Sequence, residues 1–156
     1  MAMELGWTTP ALRSLFGTNN GIAGHVLMEG GTEQQKKSWL PRLASGEVTA
    51  SFGLTEAEAG SDPSTLTTTA RRDGDGWVIN GSKRYITNAP VANVIMVFAR
   101  TNPDAPGNRG ISTFLVPAAP RACRRARATT RWASSGGPGP PTSTSTTCGS
   151  RRTRSS

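Results

Sequence analysis

The spacing of apolar side chains changes near residue 48, and each stretch predicts its own kind of element. Between residues 11 and 30, Leu12, Leu15, Phe16, Ile22, Val26 and Leu27 recur at three- and four-residue steps. That period predicts a helix, which Gly30-Gly31 ends. Gly17-Thr18-Asn19-Asn20-Gly21 interrupts the pattern and fits either a kink or two shorter helices. A second helix starts at Thr32, where Thr32 and Gln35 have capping-box spacing and Glu33 sits in the first turn. Pro41 is expected to interrupt it, leaving Arg42–Glu47 as a short extra turn.

From Val48 to Pro117 the chain is rich in Thr, Val, Ile and aromatic residues, broken by turn residues. Asp73-Gly74-Asp75-Gly76 and Asn80-Gly81 read as turns on either side of Trp77-Val78-Ile79. Lys83–Thr87, Val94–Ala99 and Ile111–Val116 read as further strands, and Asn102–Gly110 as an exposed loop. Short strands with no helix between them predict an antiparallel sheet or small barrel. The expected fold class is therefore α+β. A helical segment over residues 1–47 precedes a small β-domain over 48–120 and a disordered basic tail over 121–156.

Charge belongs to the tail alone. The chain carries 18 Lys and Arg against 10 Asp and Glu, a formal net charge of +8. All ten acids lie in residues 1–120 with ten of the basic residues, and the eight remaining Arg lie in 121–156. The tail has no Ile, Leu, Val, Phe or Tyr, so it offers no apolar surface to offset the entropy of ordering it. Both cysteines, Cys123 and Cys148, sit there, so the first 120 residues hold no disulfide framework or zinc spacing. The longest apolar run, Val94–Ala99, is too short to span a bilayer, and no signal peptide is read. A cytoplasmic protein without a membrane partner is expected.

Two segments combine residues suited to binding. Phe52-Gly53-Leu54-Thr55-Glu56-Ala57-Glu58-Ala59-Gly60-Ser61-Asp62 reads as a strand running into a hydroxyl-lined turn, where Gly60 permits close backbone approach. Exposed N–H groups there, beside Thr55 and Ser61, suit a phosphate or a polar ring edge; an ordinary Ser/Thr/Gly-rich strand end reads the same. In Asn80-Gly81-Ser82-Lys83-Arg84-Tyr85-Ile86-Thr87-Asn88-Ala89, strand alternation puts Tyr85 and Thr87 on one face and Ile86 on the other. That face suits a flat heterocycle, or is a half-buried sheet face. His25, the single histidine, and Trp39 and Trp77 need no functional role.

Together these segments resemble the acyl-CoA dehydrogenase family. Glu33-Gln34-Gln35-Lys36, Trp39-Leu40-Pro41, Leu43-Ala44-Ser45-Gly46-Glu47, Arg109-Gly110-Ile111-Ser112 and Phe114-Leu115-Val116-Pro117 add to the likeness, which runs from about Gly21 to Pro117. The resemblance implies a flavoenzyme with an N-terminal helical domain, a middle β-domain and a C-terminal four-helix domain. It implies FAD held by Phe52, Leu54, Thr55, Gly60, Ser61, Tyr85, Ile86 and Thr87. Thr55 would bond the pyrimidine edge of the flavin and Thr87 would lie near N5, while Ser61 would also meet the acyl-CoA substrate. Two departures are visible: Glu56-Ala57-Glu58 stands where Glu-Pro-Gly is common, and Tyr85 where tryptophan is frequent.

The implied reaction removes a proton from the acyl α-carbon with a carboxylate base while hydride passes from the β-carbon to the flavin. In the family that base is a glutamate of the C-terminal domain, so no catalytic residue is nominated here. Glu56, Glu58 and Asp62 are read as solvated or turn-stabilising acids. The chain as written is expected to have little dehydrogenase activity. Electron-transfer flavoprotein is the implied acceptor, and full-length relatives are homo-oligomeric. The likeness stops between Pro117 and Arg121, where the composition becomes that of a GC-rich gene read out of frame. Shifted by a base, Thr142–Thr153 permits an alternating, strand-like sequence. The alternatives are a non-catalytic FAD or acyl-CoA binding fragment and a basic-tailed nucleic-acid module, the latter ranked low because few aromatics accompany the Arg residues.

Overall fold

The computed structural model describes Trp7, residues 9–74 and 76–118, and the backbone of residues 124–125, 145–148 and 153–154. The fold class is α+β, helices followed by a mixed sheet. Two compact units are formed, Met1–Gly53 with Thr87–Phe98 and Thr113–Ala119, and Leu54–Ile86 with Ala99–Ser112 and Pro120–Ser156.

In the first unit the chain is helical from Pro10 to Gly30, as α1 (Pro10–Phe16), a π-helical stretch (Gly17–Ala23) and α2 (Gly24–Gly30). Where the sequence allowed a kink or two separate helices, the π turn instead keeps the helix going with Thr18 and Asn19 buried. Asn19 explains why a polar residue is tolerated there. Its Nδ2 donates to the carbonyls of Leu43 (2.9 Å) and Val48 (3.2 Å), and its Oδ1 accepts from Ala50 N (2.7 Å). One side chain thus satisfies three backbone groups.

Helix α3 (Glu33–Ser45) has the predicted capping box, with Gln35 N donating to Thr32 Oγ1 (3.2 Å) and Thr32 N to Gln35 Oε1 (3.0 Å). Pro41 does not end it; the helix continues to Ser45 and stops at Gly46, whose φ of 78° suits glycine. Proline removes one intrahelical donor, but the following turn carries Leu43 into the core. There Leu43 packs with Ala23, Leu27, Val48, Ala50, Val94 and Met96, and Trp39 lies against the cluster.

The sheet is mixed: antiparallel pairs of the expected kind are joined in this unit by a parallel one. Strand β1 (Ala50–Gly53) runs parallel to β4 (Val94–Arg100), in register from Ala50 opposite Val94 to Gly53 opposite Val97. Parallel neighbours need a long crossover, and the whole stretch between Gly53 and Val94 supplies it. Strand β5 (Ile111–Pro117) pairs with β4. The rings of Phe52 and Phe98 pack with centroids 4.8 Å apart.

In the second unit β2 (Thr69–Asp73) and β3 (Gly76–Arg84) form an antiparallel hairpin from Thr69 opposite Asn80 to Asp73 opposite Gly76. Asn80-Gly81 is not a turn, and Lys83–Thr87 is not a separate strand: β3 passes straight through Gly81 and stops at Arg84. Gly81 is there for close approach, since a Cβ would lie 2.7 Å from Thr68 Cα. Tyr85, at φ 56°, ends the strand, so the alternation expected across residues 85–87 does not hold.

Three short strands fall within 121–156. Strand β7 (Ser145–Cys148) pairs antiparallel with β3 and with β6 (Arg124–Arg125), and β8 (Thr153–Arg154) also pairs with β3. Edge pairing uses backbone groups and needs no apolar period. The rest of the tail, and with it the expectations of disorder and of out-of-frame sequence, lies outside the described residues. Among the described residues no helix is long and apolar enough to cross a membrane. No group of His, Cys, Asp and Glu there is placed to hold a metal ion.

Candidate functional site

The turn after β1 is organised by a buried ion pair. Lys83, projecting from β3, places Nζ 2.8 Å from Glu56 Oε1 and 3.1 Å from the carbonyl of Leu54, with both charged side chains buried. Glu56 Oε2 accepts from Thr67 N (2.7 Å) and Thr67 Oγ1 (2.6 Å), and Oε1 accepts from Thr68 N (3.0 Å) and the Thr68 hydroxyl. Burial by itself would raise the Glu56 pKa. The hydrogen bonds from Lys83, Thr67 and Thr68 outweigh it and hold the carboxyl at about 2. Burial also lowers the Lys83 pKa from its ordinary value, against the pull of Glu56. Glu56 is a structural acid, with its lone pairs already committed.

The other acids of the turn differ. Asp62 accepts from Ser64 N (2.9 Å) and Ser64 Oγ (2.7 Å), which hold its carboxyl below the usual range. Glu58 is exposed. Arg100 braces the same turn, donating to the carbonyls of Ser64 (2.7 Å) and Leu66 (3.4 Å).

Each unit ties a residue in or next to the first segment to one of the second. In the first unit Ser51 Oγ donates to the carbonyl of Thr87 (2.8 Å) beside half-buried Phe52. In the second, Arg84 N donates to the carbonyl of Thr55 (2.8 Å), and Leu54 is bound by Lys83 as described. Leu54, Thr55 and Ile86 are half-buried, whereas Gly60, Ser61 and Thr87 are exposed and Tyr85 is 67% exposed. Nothing among the described residues lies within 4 Å of where a Cβ at Gly60 would stand.

The hydroxyls divide into two sets. Those of Ser51, Ser64, Thr65, Thr67 and Thr68 are all used inside the protein. Among the described residues the hydroxyls of Thr55, Ser61, Ser82, Tyr85 and Thr87, all within the two segments, make no hydrogen bond. In the first unit, Asn88 at φ 64° holds its Nδ2 buried with no acceptor among the described residues. A buried donor of that kind costs about 1–3 kcal/mol unless something supplies an acceptor. Lys83 and Asn88 are not among the residues expected from the sequence to hold a ligand. A lysine within an otherwise half-buried strand was the available signal for the first; nothing in the pattern marked the second.

The comparisons with known proteins agree with one another. The family model "Acyl-CoA dehydrogenase, middle domain" matches residues 51–144, and "Acyl-CoA dehydrogenase, N-terminal domain" matches residues 1–47. The (2S)-methylsuccinyl-CoA dehydrogenase of Cereibacter sphaeroides is 43% identical over 105 residues, 67% of this chain and 19% of that protein. The mitochondrial short-chain specific acyl-CoA dehydrogenase of Bos taurus is 42% identical over 103 residues, 66% of this chain and 25% of that protein. The chain therefore spans a quarter or less of the length of these curated relatives. A glutaryl-CoA dehydrogenase from Mycobacterium smegmatis, solved in complex with FADH2, superposes with a TM-score of 0.79 at 33% identity. It covers 97% of this chain and 36% of its own.

Proposed function

Because the chain belongs to the acyl-CoA dehydrogenase family, we propose that residues 1–156 are the flavin-holding part of an oxidoreductase. Its substrate class is the acyl-CoA thioesters, oxidised at the CH–CH bond, and its cofactor is FAD. The observation that carries this reading is the division of hydroxyls. The protein uses those of Ser51, Ser64, Thr65, Thr67 and Thr68 for itself and, among the described residues, leaves Thr55, Ser61, Ser82, Tyr85 and Thr87 free. A polar ring edge and a diphosphate require such donors. The residues present fit the group.

Phe52, Leu54, Thr55, Gly60, Ser61, Tyr85, Ile86 and Thr87 would hold FAD, with Thr55 toward the pyrimidine edge and Thr87 toward N5. Ser61 would also contact acyl-CoA. Exposed Tyr85 offers a flat wall and half-buried Ile86 apolar contact. When bound, FAD supplies the hydride acceptor; the chain binds it, orients it and excludes water from one side.

Proton abstraction needs a free carboxylate. Glu56 is committed to Lys83, Thr67 and Thr68, Asp62 to Ser64, and nothing among the described residues orients Glu58. A polypeptide of residues 1–156 alone should therefore bind FAD yet turn over acyl-CoA little or not at all. Electron-transfer flavoprotein is the proposed acceptor for the whole enzyme. The test is titration of the purified chain with FAD, followed by quenching of flavin fluorescence. Saturable binding weakened by Thr55→Val and by Thr87→Val is expected. Absence of binding by a folded chain overturns the reading.

A further inference from the structure

Thr55 is gripped on both sides by one ammonium group. Lys83 Nζ takes the carbonyl of Leu54 (3.1 Å) and the carboxylate of Glu56 (2.8 Å), the residues before and after it. The carbonyl of Thr55 itself accepts from Arg84 N (2.8 Å), the residue following Lys83. Glu56 N closes the turn on the carbonyl of Ala59 (2.8 Å), and the Glu56 carboxylate is tied to Thr67 and Thr68. Three consecutive residues are thus fixed through backbone or carboxylate atoms, while the Thr55 hydroxyl has no partner among the described residues.

We propose that Lys83 and Glu56 are positioning residues for ligand binding, holding the backbone of residues 54–56 so that the Thr55 hydroxyl points in one direction. The inference rests on the flavin reading above for the identity of the ligand. Burying a lysine and a glutamate is a poor route to stability alone, since an apolar pair of similar volume usually serves as well. Only a charged, multiply bonded pair gives direction. The pair's atoms reach Leu54 O on one side of Thr55 and Thr67 and Thr68 on the other, which packing by itself does not specify. Preorganising one donor in this way spares the ligand the cost of ordering a turn.

The test uses the full chain and FAD. Lys83→Met leaves Glu56 unpaired and risks unfolding, so the deciding variant is Glu56→Gln/Lys83→Met, which removes both charges and keeps the volume. In the absence of FAD, hydrogen exchange of the Arg84 amide is compared with that of the β2–β3 ladder amides. We expect intact ladder protection with Arg84 exchange faster by about tenfold, roughly the worth of one hydrogen bond. FAD affinity should fall by about tenfold in the same variant. Thr55→Val should then add little, whereas in the native background it weakens binding by a similar factor. Unchanged Arg84 exchange in the folded double variant overturns the proposal. So does faster exchange with FAD affinity unaltered, or a Thr55→Val effect that is fully additive. If the native chain binds no FAD, the flavin reading fails and the positioning claim falls with it, while the exchange result still decides whether the pair holds the turn.

Discussion

Asn19 Oδ1 accepts a hydrogen bond from the backbone N–H of Ala50 at 2.7 Å, joining the π-helical stretch to the first residue of β1 across 31 positions of sequence. The same side chain donates to the carbonyls of Leu43 and Val48, so helix, helix end and strand meet at one amide. The predicted consequence is a large cost for a small change. Asn19→Ala leaves three backbone groups without this partner and should destabilise by about 2–4 kcal/mol, read as a shift of the urea midpoint. Asn19→Asp keeps the acceptor but loses both donations, and should also destabilise.

Acid should loosen the turn after β1. The Glu56 carboxyl is held at about 2 in the folded chain against 4.5 for a free group. A depressed carboxylate contributes stability that is fully present above pH 4.5 and is lost as pH falls from there toward 2. Thermal unfolding followed between pH 5 and pH 2 should fall more steeply for the native chain than for Glu56→Gln/Lys83→Met. Equal slopes would show that Glu56 is not the titrating group.

Gly81→Ala tests close packing in the middle of β3. The added carbon would lie 2.7 Å from Thr68 Cα, and the φ of 156° also disfavours a side chain. Either the strand shifts or Thr68 moves off Glu56, so a loss of about 2–4 kcal/mol is expected from denaturant unfolding. The same substitution at Gly60, where nothing lies within 4 Å among the described residues, should leave stability within about 0.5 kcal/mol. If FAD approaches that backbone, Gly60→Ala should weaken FAD binding without moving the urea midpoint.

Tyr85→Ala separates binding from folding. The residue is 67% exposed and its side chain makes no hydrogen bond among the described residues, so its removal should not lower stability by lost packing. Relief of the positive φ is not gained either, because alanine is no freer there than tyrosine. Loss of an aromatic wall should appear instead as weaker FAD binding and a changed flavin absorbance envelope.

Much of the local structure was legible in the chain. The Thr32–Gln35 box, the strand at Val94 and the hairpin turn at Gly74 follow from rules acting within a few residues. So did the family, because its motifs are contiguous. Tertiary contacts decided the rest. Pro41 remains helical because Leu43 belongs to the core, Asn80-Gly81 stays extended because Thr68 packs on it, and β1 is able to run parallel to β4 because a long crossover separates them. Asn19 and Lys83 owe their roles to partners far away in sequence. Propensity and period report what a residue prefers beside its neighbours; burial and distant hydrogen-bond partners exist only once the chain has folded.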